Sequence, residues 1–231
     1  MCAAKQQASK RRPSEIGLFF GQFLRNFHTT GAVLPSGRFL GRALARFVGH
    51  GRPGPRRILE VGPGTGAVTQ HIVARLRPED RLDLVELNDS FVERLRHRFE
   101  ADPLFDAAGD RWQIFHCPLQ DISREEPYDL IISGLPLNNF SVADVEEILE
   151  TMVSLLGPGG TLSFFEYIAV RGIRSLVGRR AERERMRGIG RALRVVLGEH
   201  EIRRDWIWPN VPPAWVHHVR IGTATHDTPR R

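Results

Sequence analysis

Arg57-Ile58-Leu59-Glu60-Val61-Gly62-Pro63-Gly64-Thr65-Gly66 is the stretch on which the fold turns. Arg57 to Val61 is a short apolar run of strand character, and a helix is predicted from about Ala67 to Leu76. The glycines therefore fill a strand-to-helix turn. Glycine allows such a turn to be tight and lets a ligand approach the backbone N–H groups closely. The spacing is G-x-G-x-G, which differs from the dinucleotide pattern G-x-G-x-x-G. Glu60 stands two positions before the first glycine, and Glu86 ends the next predicted strand. A carboxylate at that second place reaches ribose hydroxyls. An ordinary strand–helix turn accounts for the glycines but not for Glu86 in register with them.

Outward from this turn the chain alternates. Strands are predicted at Leu82–Leu87, Trp112–Cys117, Tyr128–Ser133 and Thr161–Ile168, with helices at about Ser90–Glu100 and Val142–Leu156. Strands alternating with helices build an α/β fold with a parallel sheet covered on both faces. The end breaks the pattern: Glu201–Trp208 and Trp215–Gly222 read as an antiparallel pair closing the sheet. Before the turn, Ile16, Phe19, Phe20, Phe23, Leu24 and Phe27 form one helical stripe, and Ser36 can cap a second helix carrying Phe39, Leu40, Ala43, Leu44, Phe47 and Val48. The expected organisation is a disordered basic start (1–14), N-terminal helices (15–55), the main domain (56–224) and a disordered tail (225–231).

The chain has 231 residues, 41% of them hydrophobic, which is enough for one domain with a sizeable core. Its formal charge is +6, and of 33 basic residues only Lys5 and Lys10 are lysines. Arginine suits phosphate and carboxylate, although arginine richness also arises from genome composition. Cys2 and Cys117 offer no disulfide framework, and no apolar run is long enough to span a bilayer. No metal ligands are expected. A cytoplasmic protein follows, with an anionic surface as a candidate partner.

The glycine turn with Glu60 and Glu86 resembles the class I S-adenosylmethionine-dependent methyltransferases, a Rossmann-like sheet ending in an antiparallel pair, over about Arg56 to Gly222. The resemblance implies that Gly62, Gly64 and Gly66 border the methionine part of S-adenosylmethionine. Glu86 would hold its ribose and Glu60 would lie near its amine. Pro63, Thr65, Leu87, Ser133 and Ser36 are further implied contacts. One departure concerns adenine. Where relatives carry Gly-Asp, this chain has Cys117-Pro118-Leu119-Gln120-Asp121, so adenine would rely on the Leu119 backbone or on Asp121.

The fourth strand runs into Ser133-Gly134-Leu135-Pro136-Leu137-Asn138-Asn139-Phe140. Amino methyltransferases carry polar-Pro-Pro-aromatic here, and Leu137 replaces the aromatic. This segment, together with Thr30-Gly31-Ala32-Val33-Leu34-Pro35-Ser36 and Trp208-Pro209-Asn210-Val211-Pro212-Pro213-Ala214-Trp215, resembles the bacterial phospholipid N-methyltransferases of the rRNA-dimethylase-like type and their ornithine-lipid relatives. That family methylates a lipid primary amine at the inner face of the cytoplasmic membrane. Asn138, Tyr167 and Glu166 are then the candidate catalytic residues. Gly134, Leu135, Pro136, Phe140, Arg171 and Arg174 are the candidate substrate contacts. Tyr167 and Phe140 also read simply as core residues.

The phenylalanine stripe at 16–27 suits an interfacial helix or one packed on the domain, and Trp206, Trp208 and Trp215 suit interfacial anchors or sheet-end packing. Membrane lipid is the expected partner, with no stable protein partner and no nucleic acid. Two alternatives stand beside this expectation. One is an rRNA adenine N6-dimethyltransferase, opposed by the missing aromatic and by the lack of a helical domain after the sheet. The other is a non-catalytic lipid-surface protein, opposed by the intact glycine turn and Glu86.

Overall fold

The computed structural model describes residues 37–51, 53–168, 180–198, 200–210 and 212–222. The segments 1–14 and 225–231, the 16–27 stripe, Ser36 with its 30–36 element, Arg171 and Arg174 lie outside the described residues.

Helix α1 (Gly37–Leu44) runs into a 3-10 turn at Ala45–Phe47. There follow β1 (Arg57–Val61), α2 (Thr69–Val73), β2 (Arg81–Val85), α3 (Asp89–Ala101), β3 (Trp112–Phe115), β4 (Tyr128–Ser133), α4 (Val142–Leu155), β5 (Leu156–Tyr167), α5 (Arg180–Leu197), β6 (Glu201–Ile207) and β7 (Ala214–Arg220). The strands form one sheet in the order β3-β2-β1-β4-β5-β7-β6. Only β7 departs from the common direction, pairing antiparallel with both β5 and β6. The expected class and terminal pair are therefore present.

Each face of the sheet carries its own core. On one face α4 and α5 bury Ile148, Met152, Met186, Ile189 and Leu193 against Leu59, Ile131, Leu162 and Phe164. On the other, Leu40 and Leu44 of α1 and Ile72 of α2 pack on Ile58, Leu82, Leu130 and Phe165. Strand alternation produces this split: neighbouring residues of one strand point to opposite faces. Helix α4 starts at a reciprocal capping box, with Ser141 Oγ accepting from Asp144 N and Asp144 Oδ2 accepting from Ser141 N.

Several boundaries differ from expectation. Strand β5 begins at Leu156, and the Gly157–Gly160 turn lies within it as an irregularity: Tyr128 pairs with Leu156, whereas Leu130 pairs with Thr161. Helix α2 is shorter at both ends, because turns leaving the glycine loop use the first residues; Gly66 N donates to Pro63 O at 2.9 Å. Cys117 lies beyond β3, buried in the loop that follows it.

At the amino ends of the parallel strands, charges are buried in pairs. Arg56, 5% exposed, holds the fully buried Asp80 at 2.9 Å. Nearby, Asp83 Oδ2 accepts from Arg57 Nη2 at 2.7 Å and from the Tyr128 hydroxyl at 2.8 Å, joining β2, β1 and β4. Burial, with the Asp83 charge second, pushes the Tyr128 phenol upward. Removing one member of a buried pair leaves the other charge uncompensated and costs about 3–5 kcal/mol. Asp80→Ala should therefore lower unfolding free energy in urea by about 3 kcal/mol. Ligand affinity of the folded fraction should stay unchanged, because Asp80 lies at the amino end of the sheet, opposite the glycine turn.

Candidate active site

Strand order reverses between β1 and β4, and ligands of open α/β sheets bind beyond the carboxyl ends at such a point. Here Val61 pairs with Val85 on one side and Ser133 on the other. Gly62 N donates to Val85 O at 3.0 Å and Gly134 N to Val61 O at 2.8 Å. Gly62, Gly64 and Gly66 all have positive φ, at 67°, 55° and 82°. Gly134 is needed for closeness: a Cβ there would sit 2.7 Å from Gly62 O.

Two carboxylates converge on this turn. Glu86 is 1% exposed; its Oε1 accepts from Leu87 N at 2.8 Å and Asn88 N at 2.9 Å, and its Oε2 from Gly64 N at 3.1 Å. Burial raises its pKa, while those three N–H groups pull it partly back. Glu60 is fully buried, and neither carboxyl oxygen has a hydrogen bond of good geometry among the described residues. Burial pushes its pKa up to about 8, a rise the adjacent Thr69 hydroxyl opposes and the Glu86 charge supports.

Beside the carboxylates lies a largely apolar slot lined by Val61, Gly62, Val85, Leu87, Cys117, Leu119, Gln120, Leu135, Phe140 and Ile148. Asp121 is exposed and lines none of it; Gln120 holds the place instead. The Gln120 amide nitrogen donates to Glu147 Oε1 at 2.9 Å, which fixes this side chain at the slot wall. Leu135 and Phe140, expected at the acceptor, form the wall of this slot together with Leu87 and Leu119. Pro63 is buried in the turn and Thr65 half-buried. Ser133 is fully buried, and its hydroxyl accepts from Leu135 N at 3.3 Å.

The residues present fit S-adenosylmethionine. Glu60 is a buried acid with no ion-pair partner among the described residues, suited to an ammonium. Glu86 stands at ribose reach of the glycine turn, and the slot matches a flat base with one polar wall.

Two arginines invisible to motif reading hold the site. Arg98 Nη1 of α3 donates to Thr65 O at 2.9 Å and Gly66 O at 3.2 Å, while Asp102 at 2.9 Å and the Phe105 ring at 4.3 Å fix the guanidinium. Arg185 Nη1 of α5 donates to Asn138 O at 3.2 Å and also to Phe140 O. The only sequence signal for the first was the i, i+4 pair Arg98–Asp102; nothing separated the second from its neighbours.

Of the three catalytic candidates, two come together. Asn138 is 1% exposed; its Nδ2 donates to Tyr167 O at 3.0 Å, and its Oδ1 has no partner among the described residues. Pro136 precedes it as the entry to the 3-10 turn Leu137–Asn139. Tyr167 packs edge-on against Phe165, and burial raises its phenol pKa. Glu166 lies on the opposite face of β5, its carboxylate 3.4 Å from His217 Nε2. Adjacent residues of a strand cannot face one site together, so expecting both Glu166 and Tyr167 at the acceptor conflicts with strand geometry.

An ammonium placed beside Glu60 would restore the ionised carboxylate. Binding S-adenosylmethionine at pH 7 should then release up to about one proton per site. Calorimetry in buffers of different ionisation enthalpy measures this, and Glu60→Gln should abolish it. In the cofactor-free protein the folded state keeps a proton that the unfolded state loses near 4.5, so this group makes stability fall as pH rises from 4.5 to about 8. An enthalpy independent of buffer would contradict the assignment.

Residues 59–162 match the model of a family described as a methyltransferase domain. Over 146 residues the chain is 28% identical to an ornithine lipid N-methyltransferase of Singulisphaera acidiphila, covering 63% of this chain and 74% of that one. Over 150 residues it is 30% identical to a tRNA 5-carboxymethoxyuridine methyltransferase of Escherichia coli, covering 64% of this chain but 54% of that enzyme, about half its length. A solved structure, Burkholderia thailandensis 1,6-didemethyltoxoflavin-N1-methyltransferase with 1,6-didemethyltoxoflavin and S-adenosylhomocysteine bound, superposes with a TM-score of 0.61 at 16% identity over 95% of both chains. Residues 59–162 are thus similar to a methyltransferase domain, and the chain shares its fold with solved methyltransferases.

Proposed function

We propose that this protein transfers methyl groups to the primary amine of a membrane lipid head group, with ornithine lipid the first candidate and phosphatidylethanolamine the second. The observation that carries this reading is Asn138. Its amide nitrogen is tied to the Tyr167 carbonyl, and its oxygen is a buried acceptor without a partner among the described residues, in the 3-10 turn that follows β4. Such an oxygen calls for an N–H donor. The loop also offers no ring on which a nucleobase could stack: Leu137 is fully buried and Phe140 is 2% exposed in the slot wall. The ornithine lipid relative, aligned over 74% of its length, supports the same reading.

S-adenosylmethionine supplies an electrophilic methyl group when bound. The acceptor amine must arrive neutral, which costs roughly 4 kcal/mol for a lysine-like amine at pH 7. Asn138 Oδ1 would accept one N–H and aim the nitrogen lone pair, and positioning of this kind supplies much of the rate of a direct displacement. Arg185 keeps the loop in place through the Asn138 and Phe140 carbonyls. Tyr167 contributes its carbonyl; its phenol, raised by burial, stays protonated at neutral pH and is no base.

The decisive assay is radiolabelled methyl transfer to vesicles containing ornithine lipid or phosphatidylethanolamine, with tRNA and rRNA in parallel. Label should enter lipid; label in RNA alone would overturn the proposal. Asn138→Ala should lower kcat/KM by roughly 10²-fold with little change in cofactor affinity. Tyr167→Phe should change turnover less than about threefold, since a carbonyl survives that substitution.

A further inference from the structure

Three of the four tryptophans, Trp206, Trp208 and Trp215, stack in one row, with centroids 4.4 Å apart for Trp206–Trp208 and 4.7 Å for Trp206–Trp215. Burial does not explain them: Trp206 is 48% exposed and Trp208 63%, and Ile202 on the same strand is 42% exposed. Trp206 lies on β6, the outermost strand, Trp208 in the turn directly after it, and Trp215 on the neighbouring β7. The row sits at the acceptor end of the sheet, because Ile207 pairs with Ala214 and Ala214 with Tyr167, the last residue of β5. Trp215 pairs with Glu166, on the sheet face that α5 covers. Along the outer side of α5, Arg187, Arg191 and Arg194 are exposed.

We propose that this aromatic row is a docking surface for the interfacial layer of an anionic lipid bilayer, holding the acceptor end of the sheet against the head groups. The inference rests on the lipid-amine reading and adds how the enzyme reaches its substrate. Indole suits that layer because it joins a large apolar body to one N–H donor. Charge agrees at this surface: the exposed Arg187, Arg191 and Arg194 of α5, the helix that covers the same sheet face, are attracted to anionic head groups. The alternative partner, single-stranded nucleic acid, needs open ring faces for its bases. Trp206 is covered on both faces by its two neighbours, and the Arg204 guanidinium lies over Trp215 at 5.4 Å, so the outer face of Trp208 is what remains. A bilayer needs buried area and indole edges rather than open faces.

The test is tryptophan fluorescence of the full chain with phosphatidylethanolamine–phosphatidylglycerol vesicles, with and without brominated acyl chains. Trp112, stacked on Phe99 at 4.3 Å, provides an internal background. Emission should shift to the blue and be quenched by the brominated chains. Trp208→Ser alone, and Trp206→Ser with Trp208→Ser, should weaken vesicle partitioning at least about tenfold while S-adenosylmethionine affinity, which reports folding, is retained. Emission untouched by vesicles, a Trp208→Ser protein that binds them like wild type, or quenching by an RNA oligonucleotide instead would overturn the proposal. Methyl transfer is read separately. Quenching without lipid methylation would sink the lipid-amine reading alone, and lipid methylation without quenching would sink the docking surface alone.

Discussion

The junction of β1 and β4 is the constraint on which the rest depends. These strands run side by side and part at their carboxyl ends, with Gly62 O so close to Gly134 that a Cβ could not be placed between them. Gly62 itself takes a left-handed conformation, and the backbone after it turns toward Glu86, whose Oε2 accepts from Gly64 N. From the same junction β4 continues into the segment carrying Asn138. Cofactor cradle and acceptor loop are thus two branches of one steric contact.

The two ends of the parallel sheet treat buried acid differently. At the amino end Asp80 and Asp83 are matched by Arg56, Arg77, Arg57 and Tyr128. At the carboxyl end Glu60 has no ion-pair partner among the described residues, and Glu86 accepts from the backbone N–H groups of Gly64, Leu87 and Asn88. The matched end is a structural anchor. The unmatched end holds polarity that a ligand would complete, which is where local rules are expected to be broken in a working protein. The hairpin of β6 and β7 continues the contrast. His218 is buried among Ser163 and Asp205, and desolvation lowers its pKa to about 4, so it is a neutral packing element.

Much of the fold was legible because it rests on local patterns. The limits of β1 and β4 were readable from their apolar runs, and Glu86 was placed by strand length. The acceptor side was less legible. Glu166 and Tyr167 are adjacent in sequence and fall on opposite faces, so a shared role could not survive strand alternation. Of the two candidates for adenine, the Leu119 backbone and Asp121, the 3-10 turn at Leu119–Asp121 brings Leu119 and Gln120 to the slot and leaves Asp121 in water. Arg98 and Arg185 act on carbonyls 32 and 45 residues away in sequence, a distance no short motif reports.

By itself the sequence determined the strand–turn–helix unit, the three glycines with their two acids, and the antiparallel end, because each depends on side-chain size and on periods of two or about 3.6 residues. Tertiary structure alone decided which acid stays unpaired, which amide oxygen is left open and which tryptophans face outward. Those properties depend on burial and on partners from distant segments. Glu60 and Asp80 show the difference: both are acids and both are fully buried, and only packing gives one an arginine and the other none.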